Sequence, residues 1–425
     1  MDAKREVATE IVRRLRGEGF QAFLVGGCVR DLVMGREPKD YDIATDATPE
    51  QVVTLYPESV TVGAQFGVVI VPHEAGNVEV ATFRSDGRYA DGRHPTEVRF
   101  AKTPQEDVRR RDFTINGLLF DPASDEVLDY VGGQADIRSR RIRAIGDPIE
   151  RFNEDRLRMV RAVRFAARFG FTLDAAAKDA ILRLAPQIHD VSHERVRDEI
   201  VKILTEGQAR RGFELLDETG LLREVLPEIK ALQGVQQPPE FHPEGDVWVH
   251  TLMMLDGLRA PSSTLALGVL LHDVGKPPTF AIRERIRFDN HVEVGAKMAQ
   301  AICGRLRLPT RETEHVVEQV RHHLRFKDFP RMKRSTQLRF LRMEGFEEHL
   351  ELHRLDCLAS HGDLTNYEMA RKLLEETPFA LKNIAKTPLV GGQWRLRKNG
   401  KYDIVIVDNK TEPKIPTGGK MEPIA

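Results

Sequence analysis

The sequence predicts an α+β protein with a small mixed-sheet head, an all-α neck and a further all-α domain. Short β-rich runs alternate with helical patterns from about residue 20 to residue 140. Beyond Ile142 the hydrophobic period changes from 2 to 3.6, and strand patterns stop. A chain of 425 residues is also too long for one compact domain. We therefore expect a head at 1–140, a neck at 141–235, a helical domain at 236–375 and an irregular tail at 376–425.

Composition limits the classes of function. Lysine and arginine number 64 against 65 aspartates and glutamates, so any nucleic-acid binding must rely on local basic patches. Three cysteines form no disulfide framework, which fits a reducing cytoplasm. The charged stretch Met1–Gly17 predicts an amphipathic helix without a signal-peptide core, and no later run is long enough to span a bilayer. We expect a cytoplasmic protein that does not enter membranes.

A strand, two glycines and a helix follow the N-terminal helix. Phe23–Val25 is typical of a short buried strand, Gly26-Gly27 interrupts it, and Cys28–Met34 has a helical pattern that ends at Gly35. Glycines allow backbone N–H groups to approach an anion, and a helix N-terminus favours negative charge. The arrangement predicts a phosphate cradle, to which Arg30 adds a charged fork.

Two aspartates lie just beyond this cradle. Asp40 and Asp42 are two residues apart and Ile43 continues an extended pattern, so both carboxylates would project from one strand face, about 7 Å apart. Two carboxylates facing a phosphate cradle supply the hard oxygen ligands of Mg²⁺-assisted phosphoryl or nucleotidyl transfer. The alternative is an ordinary glycine turn followed by a solvated loop.

The letters GGCVRDLVMG…DYD resemble the first motif of the DNA polymerase β-like nucleotidyltransferases. More narrowly, they resemble the bacterial class of CCA-adding tRNA nucleotidyltransferases and poly(A) polymerases. The resemblance implies catalytic Mg²⁺ ligands at Asp40 and Asp42. It also implies that Gly26, Gly27 and Arg30 position the triphosphate.

The same resemblance bears on the next two segments. A third carboxylate is common in this superfamily, and Glu79 is its candidate because it lies in the predicted strand Val78–Phe83. An exposed strand glutamate is the alternative reading of Glu79. The polar residues 84–95 would correspond to the mobile loop of this class, or to a solvated loop without a catalytic role.

The run Arg109–Asn116 resembles the second motif of the class. The resemblance implies that Arg110 and Arg111 hold phosphates and that Asp112 binds the ribose hydroxyls. Asn116 is assigned to the same nucleotide site. The alternative is a surface turn, because three successive arginines cannot all face one way.

A charged pair lies in the helical pattern of the neck. Asp147 precedes a helix start at Pro148, and Glu154–Phe169 is predicted to continue the helix as far as Gly170. Asp155 and Arg158 are three residues apart and hence helix neighbours. They form either a surface salt bridge worth less than about 1 kcal/mol or a protein template for the incoming base. Glu-Asp-x-x-Arg resembles the template motif of the class, which matches cytosine and adenine.

Further arginines follow on the same helix. We assign Arg161 and Arg164 to nucleotide binding. A larger set either contacts tRNA phosphates or only solvates a helix face. This set comprises Arg138, Arg140, Arg141, Arg143, Arg161, Arg164 and Arg168.

Beyond the linker-like Gln236–Pro239, an ordered series of histidines and aspartates resembles an HD domain, a helical metal-dependent phosphohydrolase fold. The resemblance implies a divalent metal of undetermined identity. HD domains fused to nucleotidyltransferases are either active phosphoesterases or structural modules. The minimal ligand set would be His250, His272, Asp273 and Asp356, with His291 and His322 for a second metal, and His323 or His361 as substitutes.

The tail departs from the class. Tyr402–Asp408 is typical of an isolated strand, and Asn409–Ala425 is polar coil rich in proline and glycine. We assign the tail no function.

The expected function is template-independent addition of C and A to tRNA 3′ ends from CTP and ATP, with release of pyrophosphate. A poly(A) polymerase ranks second, because Gly63–Gly67 lacks the basic character associated with those enzymes. A specialised CC-adding or A-adding enzyme ranks third. From a different class, the head could be a silent RNA-binding module beside an active HD phosphohydrolase, although intact Asp40 and Asp42 argue against that. The oligomeric state is open.

Overall fold

The structure is a computed structural model that describes residues 3–62, 67–86, 98–240, 242–377, 391–396 and 402–408. The chain divides into two compact units. One unit comprises Met1–Arg325 with Glu347–Leu364, and the other comprises Phe326–Phe346 with Thr365–Ala425. The four-part division by sequence position stays a prediction. Among the described helices, none is both long enough and apolar enough to cross a bilayer.

The strands and helices follow in chain order. The strands are β1 (Ala22–Val25), β2 (Asp42–Thr45), β3 (Val60–Thr61), β4 (Val68–Val71), β5 (Val78–Thr82), β6 (Arg84–Asp86), β7 (Val98–Phe100), β8 (Leu118–Asp121), β9 (Glu126–Asp129), β10 (Arg141–Ile142), β11 (Thr172–Leu173), β12 (Phe280–Ile282), β13 (Ile286–Phe288), β14 (Gly391–Leu396) and β15 (Tyr402–Asp408). The helices are α1 (Ala3–Gly17), α2 (Gly27–Val33), α3 (Pro49–Leu55), α4 (Pro104–Arg109), α5 (Gly133–Arg138), α6 (Pro148–Glu154), α7 (Leu157–Phe169), α8 (Ala175–Leu184), α9 (His193–Thr205), α10 (Ala209–Glu218), α11 (Leu221–Val225), α12 (Pro227–Lys230), α13 (Val247–Gly257), α14 (Ser263–Leu271), α15 (Lys276–Thr279), α16 (His291–Arg305), α17 (Thr310–His322), α18 (Arg334–Leu341), α19 (Phe346–Ala359) and α20 (Thr365–Glu376).

The head is built on a mixed sheet, as predicted. Its strand order is β3-β4-β5-β2-β1-β8-β9. Strands β2 and β5 are parallel, and Asp42 lies opposite Glu79 in their register. Paired residues of neighbouring strands project from the same face, so these two carboxylates share one side of the sheet. The amphipathic pattern of α1 is also confirmed, because Val7, Ile11 and Leu15 are buried.

The predicted order of strand, glycine turn and helix is confirmed, whereas the first residues of the loop predicted after β5 form a strand. Strand β1 is followed by Gly26 and then by α2, and Gly35 adopts a φ of 65° just beyond that helix. Arg84–Asp86, which we expected in a mobile loop, instead pairs with Val98–Phe100 as an antiparallel strand. The rest of the predicted loop lies outside the described residues.

The turn before α5 is held by one carboxylate. Both oxygens of Asp129 accept backbone N–H groups, from Val131, Gly132, Gly133 and Gln134, at 2.8–3.1 Å. This set satisfies the donors that a helix N-terminus leaves free. The helix therefore begins at a defined position beside the second head motif.

The neck helix was predicted to be continuous, and this is wrong. Asp155 has an extended conformation between α6 and α7, with φ −146° and ψ 104°. Its side chain accepts the Leu157 N–H at 3.1 Å, and its carbonyl accepts the Arg158 N–H at 3.0 Å. Asp155 thus lies between the two helices, and its oxygens accept N–H groups from the first turn of α7. The predicted end is confirmed, because Gly170 follows α7 with φ 67°.

Three predictions for the C-terminal half need correction. The helical HD region also contains the short hairpin β12–β13. The strand Tyr402–Asp408 is not isolated, since it pairs antiparallel with Gly391–Leu396. Gln236–Pro239 is not a bare linker either, because Gln237 is buried and Gln236 forms a β-bridge with Asp246.

Replacing Gly133 by alanine should destabilise the head. A Cβ there would lie 2.2 Å from the Thr114 carbonyl oxygen, a backbone atom that no side-chain rotation can move. We expect Gly133→Ala to lower the free energy of unfolding by about 1–3 kcal/mol, the range typical of overpacking, and to lower the thermal midpoint. Gly304→Ala is the control, because nothing lies within 4 Å of its Cβ position. Equal midpoints for the two variants would contradict this packing argument.

Candidate functional site

A cleft of about 390 Å³ gathers most of the nucleotide-binding residues predicted in the head and neck. Asp42 is the only predicted head metal ligand on its wall, and Asp40, Glu79 and Arg164 do not line it. Arg195, Leu157 and Phe165 line it without having been predicted. The complete lining is Gly26, Gly27, Arg30, Asp42, Arg110, Arg111, Asp112, Asn116, Asp155, Leu157, Arg158, Arg161, Phe165 and Arg195.

The diglycine forms one wall of this cleft. Gly26 has a φ of 78°, and a Cβ on it would lie 3.2 Å from Nη1 of Arg111. A side chain here would occupy the space between the cradle and that guanidinium. Arg30 is buried and donates from Nη1 to Oδ1 of Asn116 at 2.7 Å, so both side chains are held in place.

A buried carboxylate that we did not predict orients the two cleft arginines. Asp107 is 1% exposed and accepts from Nη2 of Arg110 at 2.7 Å and from Nη2 of Arg111 at 2.9 Å. Burial would raise the pKa of Asp107, but the charges of Arg111 and Arg110 lower it overall. The preceding helix α4 places Asp107 three and four residues before its partners, a spacing that could have revealed it.

Asp112 joins the second head motif to the neck. Its Oδ2 accepts from Nη2 of Arg161 at 2.6 Å, and its Oδ1 accepts from Nδ2 of Asn116 at 3.0 Å. Burial alone raises the pKa of Asp112, but the charge of Arg161 and the hydrogen bonds from Asn116 and Arg161 lower it to about 2. Asp112 is therefore ionised at neutral pH and fixed at the cleft wall.

The head carboxylates lie at the edge of this site. Burial, followed by the negative charge of Glu79 on the adjacent strand, raises the pKa of Asp42 to about 6, while Arg111 opposes the shift. Asp40 precedes β2, and its side chain is 79% exposed and 3.4 Å from Nζ of Lys4. The crowded negative charge at Asp42 and Glu79 suits a divalent cation, since a cation relieves the repulsion between carboxylates.

Asp155 and Arg158 face the same cleft but do not pair with each other. Arg195 on α9 donates to both oxygens of Asp155, at 3.2 Å and 2.8 Å. Arg158 donates from Nη1 to Glu154 at 2.6 Å and from Nη2 to the Arg110 carbonyl at 3.1 Å. The surface salt bridge that we weighed for this pair is therefore wrong. Each side chain is oriented by a different partner.

Several arginines predicted to contact RNA bind carboxylates of the protein itself. Arg164 is 6% exposed, and it donates to Glu199 at 2.6 Å and to Glu206 at 3.1 Å. Arg141 and Arg143 both donate to Asp136, which is fully buried. These pairs favour a structural role for the three arginines.

A second cluster lies in the HD region and contains the minimal set. Nε2 of His250 is 3.1 Å from Oδ1 of Asp356, and Nε2 of His272 is 3.1 Å from Oδ2 of Asp273. Nε2 of His291 and Nε2 of His323 lie 3.8 Å and 3.7 Å from Oδ1 of Asp273. Within the described residues, groups of three or more ligand atoms within 4.8 Å of one another occur only here.

The chemistry of this cluster fits a divalent metal. Nδ1 of His272, His291 and His323 each lies 2.7–2.9 Å from a backbone carbonyl oxygen, which can only accept. Nδ1 therefore carries the proton, and Nε2 keeps its lone pair for a ligand. The buried Nε2 atoms of His272 and His291 and Oδ1 of Asp273 make no hydrogen bond. Converging lone pairs of this kind are satisfied by a cation.

Two predicted histidines lie outside the cluster. Nε2 of His322 is 3.1 Å from Glu318, and His361 is exposed and accepts the Asp363 N–H at 2.9 Å. His323, weighed only as a substitute, occupies the position expected of His322. His242 and Glu244 form a further group with His250 that we did not predict.

Three stretches match known families in the predicted order. Residues 22–143 match the Poly A polymerase head domain, and 170–233 match the probable RNA and SrmB-binding site of polymerase A. Residues 246–356 match the HD domain. The first match includes the diglycine, Asp42 and Asp112, and the third includes the minimal metal set.

The chain is also similar in sequence to individual curated CCA-adding enzymes. The chain is 44% identical over 214 residues to the CCA-adding enzyme of Geobacillus thermodenitrificans, a stretch that is 50% of this chain and 53% of that enzyme. It is 40% identical over 264 residues to that of Bacillus pumilus, 61% of this chain and 66% of that enzyme. The chain thus spans about half to two thirds of the length of these curated relatives.

A solved structure extends the match. The crystal structure of the Bacillus stearothermophilus CCA-adding enzyme in complex with CTP superimposes with a TM-score of 0.66 and 30% identity, covering 88% of this chain and 82% of that one. Head, RNA-binding and HD matches follow in one order along the sequence. The chain therefore belongs to the bacterial family of CCA-adding tRNA nucleotidyltransferases and poly(A) polymerases that carry a C-terminal HD domain.

Proposed function

We propose that this protein adds C and A nucleotides to the 3′ ends of tRNA, using CTP and ATP and releasing pyrophosphate. One observation carries the proposal: a single cleft contains the phosphate cradle, Asp42 and the pair Asp155 and Arg158. Phosphate, metal and base could thus be bound at once. The relatives named as CCA-adding enzymes support tRNA as the RNA substrate.

The residues of the head would perform the chemical step. Asp42 and Asp40 would hold Mg²⁺, with Glu79 available as a third carboxylate on the adjacent strand. When bound, Mg²⁺ activates the RNA 3′-hydroxyl and neutralises charge on the leaving pyrophosphate. Arg110 and Arg111, fixed by Asp107, would bind the triphosphate through paired N–H donors.

The neck would select ribose and base. Asp112, ionised and fixed by Arg161, would accept hydrogen bonds from ribose hydroxyls. Asp155 would accept from the exocyclic amino group of cytosine or adenine, and Arg158 would donate to the adjacent ring acceptor. Their separate anchors, Arg195 and Glu154, hold both groups without consuming them in a mutual pair.

The HD cluster would supply a second activity. We propose a divalent-metal phosphohydrolase site formed by His250, His272, Asp273 and Asp356, with His291 and His323 for a second ion. A scaffold without activity is the alternative.

The three described cysteines are buried thiols, which supports a cytoplasmic location.

Incubation of the protein with tRNA lacking CCA tests the main proposal. CTP and ATP are supplied separately and together, and product lengths are read on a sequencing gel. The expected product is extended by CCA only with both nucleotides. Addition of C alone or A alone would indicate a specialised enzyme, and long A tracts on generic RNA a poly(A) polymerase. No extension at all would leave the silent-head alternative.

Asp42→Asn should abolish addition of both nucleotides. The amide keeps the shape of the side chain but removes the charge that binds Mg²⁺, so we expect the rate of the chemical step to fall by more than about 100-fold. Asp46→Asn, at the other end of the same strand, is the control, because Asp46 only accepts from Gln21. CMP and AMP incorporation are measured under single-turnover conditions. Near-normal turnover in Asp42→Asn would refute the metal role.

Asp155→Ala should relax the choice of base. A polar contact to a base edge is worth about 1–3 kcal/mol of discrimination, so we expect UTP and GTP misincorporation to rise by about 5- to 100-fold. Arg156→Ala is the control, since Arg156 donates to Gln187 and does not line the cleft. Unchanged selectivity in Asp155→Ala would limit the Asp155 side chain to a structural role at the start of α7.

Two adjacent histidines provide a sharp test of the HD cluster. His323→Ala should lower the divalent metal content, because Nε2 of His323 points at Asp273. His322→Ala should keep it, because His322 pairs with Glu318. Elemental analysis and hydrolysis of a 2′,3′-cyclic phosphate are measured on the same preparations. Nucleotide addition should survive in both variants, and equal metal loss would contradict the assignment.

A further inference from the structure

We infer that Glu244 is a positioning residue for the metal ligand His250: its carboxylate accepts the proton on Nδ1 and thereby reserves Nε2 for the metal. The inference rests on the proposed HD metal centre and does not depend on nucleotide addition. Glu244 lies between the predicted linker Gln236–Pro239 and α13.

The contact is short and lies in the interior. Oε1 of Glu244 is 2.7 Å from Nδ1 of His250, and the two side chains are 4% and 0% exposed. Oε1 also lies 2.8 Å from Nδ1 of His242. On the other edge of the ring, Nε2 of His250 faces Asp356 at 3.1 Å. One edge of the imidazole therefore faces the metal set, and the other faces Glu244.

Comparison of the four rings shows why His250 needs this carboxylate. His272, His291 and His323 each use the backbone carbonyl three residues earlier, those of Val269, Phe288 and Val320. The corresponding carbonyl for His250 belongs to Val247, and the hydroxyl of Thr251 donates to it at 2.9 Å. Nδ1 of His250 instead lies 2.7 Å from a carboxylate outside its helix. A carboxylate partner both fixes the tautomer and makes the ring a stronger ligand.

Hydrogen bonds connect the segment Gln237–Asp246, which contains Glu244, to the metal ligand Asp273 through Lys276. Gln237 accepts from Nζ of Lys276 at 2.5 Å, and the same Nζ is 2.6 Å from Oδ2 of Asp273. The Gln237 N–H donates to the Gly245 carbonyl at 2.9 Å, and the Gly234 N–H donates to Asp246 at 2.8 Å. These bonds close the segment on itself and fix the position of Glu244 against His250.

Cobalt binding to the full chain tests this role. Chelator-treated protein is titrated with Co²⁺ against a competing chelator, and the visible absorption of bound Co²⁺ is recorded. Glu244→Ala should weaken the cobalt equivalent that His250 holds by about 10- to 100-fold, the usual effect of losing such a partner. Glu244→Gln, whose amide oxygen still accepts but carries no charge, should lose less. Glu240→Ala, an exposed glutamate of the same segment, should bind as wild type does.

A second readout separates positioning from stability. With diamagnetic Zn²⁺ bound, the ¹⁵N shifts of the His250 ring should show a protonated Nδ1 and a coordinated Nε2 in the wild type, and loss of the Nε2 coordination shift in Glu244→Ala. Thermal midpoints of the metal-free forms identify any variant that fails to fold, and Glu244→Gln then carries the test. Wild-type cobalt affinity in a folded Glu244 variant would overturn the inference alone. No cobalt binding in wild type would overturn the metal centre as well.

The nearest competing role is a metal site of its own. Ligand atoms of His242, Glu244 and His250 lie within 4.8 Å of one another. His242→Ala could remove a whole cobalt equivalent while the ion at Asp273 and Asp356 stays bound. In that case His242, Glu244 and His250 would form an ion site of their own, and the positioning role of Glu244 would be wrong. Positioning predicts that His242→Ala changes cobalt affinity less than Glu244→Ala does, because Nδ1 of His242 is hydrogen-bonded to Glu244 and its ring only packs edge-to-face against that of His250.

Discussion

The ion pair between Asp112 and Arg161 is the interaction on which the nucleotide cleft depends. It joins the second head motif to α7 across 49 residues of sequence, with Oδ2 and Nη2 at 2.6 Å. Arg158, one turn earlier on the same helix, donates to the Arg110 carbonyl and fastens the same two elements. Removal of the Arg161 charge would leave the largely buried Asp112 carboxylate, whose side chain is 10% exposed, without its ion-pair partner, and this would destabilise the cleft. The cleft walls are thus held by charge-assisted bonds as well as by apolar packing.

Both candidate sites concentrate groups that a folded core would otherwise avoid. In the head, Glu79 lies beside Asp42 and burial raises the pKa of Asp42 to about 6. In the HD region, Nε2 of His272 and Oδ1 of Asp273 are buried without a hydrogen bond. Unpaired buried polar atoms cost free energy that a bound cation would recover. The close packing at Gly133 and the Asp129 cap add rigidity beside the second head motif.

Arginine is the residue type whose role sequence reasoning resolved least. Arg110 and Arg111 line the cleft because Asp107 aims them, whereas Arg164 is turned inward by Glu199, 35 residues away. Both kinds of arginine lie in similar basic runs of the sequence. What distinguishes them is the position of a carboxylate partner, and for Arg164 that partner is remote in sequence. Periodicity therefore predicted where arginines lie on the helices but not which of them face a ligand.

The sequence by itself determined the mixed-sheet head, the glycine turn between β1 and α2 and the place of Asp42 on β2, because each depends on propensities and spacings within a few residues. Tertiary structure decided the rest. Asp155 breaks the neck helix and pairs with Arg195, 40 residues away. His323 instead of its neighbour His322 faces Asp273, because successive helical residues point in different directions and packing buries His323. Glu244 reaches His250 only because the segment before α13 folds back on the metal cluster. Such choices depend on which side chains long-range packing brings together, and a local pattern does not encode them.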